Sequence, residues 1–175
     1  MGNPVLTGLE PQPVFRFFEE LTAIPHGSGN TEAASDWAAD FARARGLEHR
    51  RDEMGNVVIR KPASPGYEDH PGVILQGHLD MVCVKERGVD HDFTKDPLRL
   101  VVEGDWVRAQ GTTLGGDNGI AVALILALLD DAGAVHPPIE AVFTVDEEVG
   151  LLGAGGLDCS DLAGRRLINL DSEDE

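Results

Sequence analysis

Apolar residues recur at helical spacing in the first quarter of the chain and then gather into short unbroken runs. Val14, Phe17, Phe18 and Leu21 share one face of a helix expected over residues 13–23, which Pro25 forces to stop. Ala34, Trp37, Ala38 and Phe41 do the same for a helix over residues 31–45, closed by Gly46. Between them, His26-Gly27-Ser28-Gly29-Asn30 reads as a flexible connection. Residues 47–52 and 56–60 are short strands around the turn signal Met54-Gly55-Asn56, and residues 61–72 form a surface loop containing Pro and Gly. The run Val73-Ile74-Leu75-Gln76-Gly77 then predicts a buried strand that stops at His78. Residues 83–97 are polar and irregular, and residues 98–103 and 106–109 flank Gly104-Asp105 as a hairpin. Residues 120–129 are apolar nearly all round, as in a buried helix, while residues 139–145 and 167–170 are two more apolar strands. Strands interleaved with helices give an α/β fold, with a mixed, largely parallel sheet flanked by helices.

Chemistry gathers where these runs end. In a strand, side chains two apart share a face, so His78 and Asp80 point the same way while Leu79 turns into the core. An imidazole beside a carboxylate suits a metal ligand whose second ring nitrogen is held by an acid, although such a pair alone also fits a hydrogen-bonded surface pair. The strand over residues 139–145 ends in Asp146-Glu147-Glu148, whose side chains diverge, so one can serve a metal and another a water; the alternative is a solvated acidic turn. The last strand ends in Asp171-Ser172-Glu173. The glycine-rich stretch Gly111-Thr112-Thr113-Leu114-Gly115-Gly116-Asp117-Asn118-Gly119 has the glycine spacing of a phosphate-binding loop, but Asp117 and Asn118 replace its Lys and Ser/Thr. A carboxylate there repels phosphate and attracts a cation, making Asp117 a candidate ligand. Ligands of open α/β sheets bind at the carboxyl ends of strands, and one imidazole with several carboxylates suits zinc or a related ion, two of them if a carboxylate is shared.

Composition narrows the partners. With 175 residues, 42% of them hydrophobic, one domain with a real core is expected. A formal charge of −17 argues against nucleic acid and anionic membrane surfaces, and the apolar runs are too short to cross a bilayer. Cys83 and Cys159 are far apart in sequence and read as reduced, partly buried thiols of a cytoplasmic protein. His26, His49, His70, His91 and His136 lie in loops or polar contexts and read as surface residues rather than ligands.

Gly77-His78-Leu79-Asp80-Met81-Val82, the loop from Gly111 to Gly119, Thr144-Val145-Asp146-Glu147-Glu148 and Asn169-Leu170-Asp171-Ser172-Glu173 together resemble the aminoacyl-histidine (Xaa-His) dipeptidases, or peptidase D. These belong to the co-catalytic zinc peptidases that include carnosinases and aminoacylases. The resemblance extends to Arg51-Asp52, Gly55-Asn56 and residues 91–97. It implies that His78 and Asp171 bind one zinc, Asp117 bridges both, Glu148 binds the other, Glu147 is the general base and Asp80 orients His78. It also implies a cis peptide between Asp117 and Asn118, a dipeptide substrate, and a homodimeric complete enzyme. Zinc is the implied metal, with Mn2+ or Co2+ as substitutes.

Members of that family are far longer, with a lid or dimerisation domain after this region and a returning segment that brings a distal histidine to the second zinc. The expectation is therefore that residues 1–175 are the N-terminal part of a catalytic domain. Two other functions are carried forward: an N-acyl amino acid deacylase with the same metal ligands, and a fragment that binds metal without catalysis.

Overall fold

The computed structural model describes residues 4–171. In chain order the elements are α1 (Gln12–Thr22), α2 (Glu32–Ala44), β1 (Glu48–Arg51), β2 (Val57–Lys61), β3 (Val73–His78), β4 (Leu100–Glu103), β5 (Trp106–Ala109), α3 (Gly116–Asp130), β6 (Ile139–Thr144), α4 (Leu152–Gly156) and β7 (Arg166–Asn169). Five strands form one sheet in the order β1-β2-β6-β3-β7, and β4 and β5 pair apart from it as an antiparallel hairpin. The sheet is mixed. β1 with β2 and β2 with β6 run antiparallel, whereas β3 runs parallel to both β6 and β7. Its parallel half carries the three strand ends singled out above.

Strand alternation decides which side chains face which layer. Val57 and Ile59 of β2, Ala141 and Phe143 of β6 and Leu75 of β3 share one face, where they join Phe17, Leu21, Ala38, Phe41, Val122 and Leu126 from α1, α2 and α3 in one apolar cluster. Phe17 and Phe41 meet edge to face with ring centroids 5.4 Å apart, which locks α1 against α2. The uniformly apolar α3 fits this position because it is covered on several sides, packing on α1 and β3. On the opposite face, Ile74, Gln76, Val142 and Thr144 lie under α4 and the segment that follows it, bordering a cavity of about 270 Å³.

The short helix α4 is not visible in the apolar pattern, since three of its five residues are glycine. It is held from outside: Leu152 and Gly153 donate backbone hydrogen bonds to Asp146 and Val145 carbonyls, and Asn56 donates its side-chain amide to the Gly153 carbonyl at 2.9 Å. Three histidines expected at the surface are buried instead. His26 bonds the Ile24 carbonyl at 2.6 Å, His91 packs edge to face on Phe93, and His136 bonds the Pro137 carbonyl. In each case a neighbour in sequence bonds or packs on one side of the ring, although Nε2 of His26 and of His91 is buried without a hydrogen-bond partner. The two cysteines are free, but exposed rather than partly buried. No helix among the described residues is long and apolar enough to cross a membrane.

Candidate metal centre

Parallel pairing brings the ends of β3, β6 and β7 to one edge. His78 lies abreast of Thr144, and the Leu79 N–H donates to the Thr144 carbonyl at 2.8 Å, so Asp80 and the turn at residues 146–148 leave the sheet side by side. One row of polar side chains crosses the sheet beneath them: Asn169 donates to Gln76, and Gln76 donates to the Thr144 hydroxyl at 3.2 Å. Register slips are costly when they break such a row, so the strand ends arrive in fixed relation. Asp171, the last described residue, follows β7 directly; Ser172 and Glu173 of the same motif lie outside the described residues.

The side chains of His78 and Asp80 are both fully buried, and Leu79 between them is buried in the core. His78 Nδ1 bonds the backbone carbonyl of Asp80 at 2.9 Å and lies 3.3 Å from its carboxylate. Asp80 therefore holds the ring with its main chain as well as its side chain. This leaves Nε2 facing the acidic groups: Asp117 at 3.1 Å, Glu147 at 3.8 Å and Asp171 at 3.9 Å.

Asp80 also reaches the turn after β6, accepting the Glu147 N–H at 3.0 Å on Oδ1 and the Glu148 N–H at 3.3 Å on Oδ2. Asp117 enters from α3, where it and Asn118 depart from helical backbone angles and the peptide joining them is cis, as the resemblance implies. Asn118 is buried and accepts the His78 N–H at 3.2 Å. Gly77 makes that approach possible, since a Cβ there would stand 2.6 Å from the Asn118 oxygen.

Among the described residues two donor groups result, His78 with Asp117 and Glu148, and His78 with Glu147 and Asp171, the ligand atoms of each lying within 4.8 Å of one another. Their common member is His78. Asp117 and Asp171 do not fall in one group, so the geometry brings together all the expected residues without itself marking Asp117 as the bridge. Sequence reading missed three supports of the site: Ser28, which donates to Asp80; Asn118, described above; and Asn56, which accepts the Val145 N–H at 3.2 Å. Each acts across a long sequence gap, and a turn or loop asparagine or serine carries no sign of that.

Charge explains what the cluster lacks. Burial raises the pKa of Glu147, with Asp171, Asp80 and Asp117 adding to the rise against His78; burial and Asp117 raise that of Glu148. Carboxylates crowded against one imidazole have oxygen and nitrogen donors turned inward with too little positive charge among them, which fits a divalent cation. Without metal the imidazole takes that part. Burial pulls its pKa down, but the hydrogen bond and charge of Asp80 and the charge of Asp171 outweigh this and raise it to about 9. Burial pushes Asp80 up, and His78, the Glu147 N–H and Ser28 bring it down to about 2.

A pH dependence follows for metal-free protein. Because the folded state binds the His78 proton more tightly than the unfolded chain, that contribution is complete below the ordinary value of 6.5 and is lost as pH rises through about 9. The Asp80 contribution is present above its ordinary 3.8 and is lost as pH falls through about 2. Thermal unfolding of chelator-treated protein should therefore show a midpoint falling between pH 6.5 and 9. His78→Asn should flatten that slope, and an unchanged slope in the variant would assign it to other groups.

Comparison with known proteins places the chain among metallopeptidase relatives. The cytosol non-specific dipeptidase of Escherichia coli (strain K12) is 46% identical over 170 residues, covering 97% of this chain and 35% of that protein. The crystal structure of aminoacylhistidine dipeptidase from Vibrio alginolyticus superposes with a TM-score of 0.93 at 47% identity, covering 99% of this chain and 35% of that one. Acetylornithine deacetylase of Dictyostelium discoideum is 30% identical over 116 residues, covering 65% of this chain and 25% of that protein. The chain thus spans about a third of the length of the two dipeptidases it matches. A sequence profile of peptidase family M20/M25/M40 matches residues 74–167, from β3 into β7, a stretch that holds His78, Asp80, Asp117, Glu147 and Glu148, and the chain belongs to that family.

Proposed function

We propose that this chain supplies the metal-binding and general-base side chains of a dizinc dipeptidase acting on Xaa-His (carnosine-like) dipeptides, as the N-terminal part of its catalytic domain. The observation that carries the reading is the pair of donor groups meeting at His78, set at the ends of parallel strands. In the proposed assignment His78 and Asp171 would hold one ion, Glu148 would hold the other, and Asp117 would serve both. Divalent ions held there, zinc first and manganese or cobalt as substitutes, would supply Lewis acidity for the scissile carbonyl and would lower the pKa of water at the site toward about 7. Glu147 would take a proton from the attacking water and deliver it to the leaving amine. Its raised pKa suits both halves of the task, since the carboxylate must accept a proton and then release it. Asp80 keeps His78 Nε2 aimed inward by holding Nδ1. The similarity to two dipeptidases supports the substrate class, a cytoplasmic location fits the cytosol dipeptidase of E. coli, and a homodimer is part of the same proposal.

The 30% identity to an acetylornithine deacetylase favours a second reading, an N-acyl amino acid deacylase with the same ligands. Hydrolysis of carnosine against N-acetyl amino acids by the longer enzyme separates the two, and preference for the acetyl compounds overturns the first. A third outcome, metal binding without catalysis, is expected of the 175-residue chain by itself. One ion has His78, Asp117 and Asp171, whereas the other has Asp117 and Glu148, short of the three or four protein ligands usual for zinc. Calorimetric zinc titration should find one tight and one weak site, with little or no carnosine hydrolysis. Two tight sites with rapid turnover would refute the ligand count.

A further inference from the structure

We propose that Ser28 is a positioning residue of the metal centre, acting through Asp80, and that the connection between α1 and α2 is a strut rather than a flexible link. The inference rests on the metal-binding role proposed above.

Asp80 has no exposed side-chain surface, so its carboxylate is oriented only by the groups around it. Oδ1 faces His78 Nδ1 at 3.3 Å and accepts the Glu147 N–H at 3.0 Å, while Oδ2 accepts the Glu148 N–H at 3.3 Å and the Ser28 hydroxyl at 2.7 Å. The Ser28 bond is the shortest of these, and the one that comes from outside the strands bearing the ligands. Without it, Oδ2 keeps a single long hydrogen bond and the carboxylate is free to turn. Turning moves the acceptor for His78 and the acceptor for the Glu147-Glu148 backbone together, because one carboxylate serves both.

The loop that presents Ser28 is itself tied to the ends of β3 and β6. Gly27 pairs with Met81 in a parallel bridge, the Ser28 N–H donates to the Met81 carbonyl at 3.3 Å, and the Asn30 N–H closes the loop on the Gly27 carbonyl at 2.8 Å. The Gly29 N–H donates to Asp146 at 2.6 Å, beside Glu147. A side chain at Gly27 would have to displace Cys83 Sγ, which lies against it. The helices on either side are anchored in the core through Phe17, Leu21, Ala38 and Phe41, so the loop transmits a fixed position to Asp80.

Partners that orient a ligating histidine typically contribute 10–100-fold to metal affinity. Co2+ titration of the 175-residue chain, followed by calorimetry and by the visible absorption of the bound ion, tests the proposal. Ser28→Ala is expected to weaken the tight site about tenfold and to shift the Co2+ bands in protein that remains folded, the metal-free unfolding midpoint falling only by the loss of one hydrogen bond to Asp80. Ser28→Thr, which keeps the hydroxyl, should restore both. Asp80→Asn should weaken binding further, and adding Ser28→Ala to it should cost nothing more. Wild-type affinity in Ser28→Ala, no recovery in Ser28→Thr, or additive losses in the double variant would each overturn the role of Ser28. A wild-type chain that binds no Co2+ would instead overturn the metal-centre reading, and this inference with it.

Discussion

Glu147→Gln in the proposed dipeptidase is expected to lower turnover by at least about 100-fold while leaving the metal content intact. Glutamine keeps the shape of the side chain and leaves the backbone N–H that donates to Asp80 at 3.0 Å, so the turn after β6 should hold its position. What disappears is a carboxylate of raised pKa, partly exposed at the mouth of the centre, that can take a proton from water. The geometry allows a rival role, because Glu147 lies 3.8 Å from His78 Nε2 and forms a donor group with His78 and Asp171. Metal analysis beside the kinetic assay separates the two. A base is lost without its ions, whereas a ligand takes an ion with it. Near-normal turnover with both ions bound would remove Glu147 from the mechanism altogether.

The parts of this centre that could be read from the sequence are those where an apolar run meets a charge. His78 and Asp80 after β3, Glu147 and Glu148 after β6 and Asp171 after β7 each interrupt a hydrophobic strand, and the period-two alternation of a strand fixes their facing. The same local logic gave α1, α2, β3 and β6 nearly to the residue. It could not give the order of strands, since the insertion of β6 between β2 and β3 depends on pairs 66 to 86 residues apart in sequence, such as Val73 with Ile139 and Val57 with Phe143. Nor could it reveal α4, whose glycines oppose a helix and whose start is pinned by Asp146 and Val145 carbonyls. The loop at residues 26–30 misled for a related reason. Gly-Ser-Gly-Asn has the composition of a flexible connection, and the approach of Asp80, Met81 and Asp146 turns it into a fixed one. His26 belongs to the same lesson: its burial follows from the loop packing on Met81, not from any pattern around it.

Asp117→Ala is expected to strip both ions from the proposed dizinc enzyme and the tight ion from the 175-residue chain. The side chain is 69% exposed, so its truncation should not unsettle the core, and the loop remains fixed by Asn118 on the His78 N–H. Any loss of metal is therefore a loss of ligation. If the carboxylate is shared, each ion loses a donor at once: one is left with His78 and Asp171, the other with Glu148. Neither reaches the usual three or four protein ligands from the residues assigned here. The spatial grouping sharpens the test, because Asp117 stands with His78 and Glu148 while Asp171 stands with His78 and Glu147. Were His78 the common point and Asp117 a ligand to one ion only, the second group would survive the substitution. Elemental analysis after gel filtration in metal-free buffer decides between them. Full loss supports a bridging Asp117, and one retained equivalent assigns that ion to His78, Glu147 and Asp171 and makes Glu147 a ligand rather than a base.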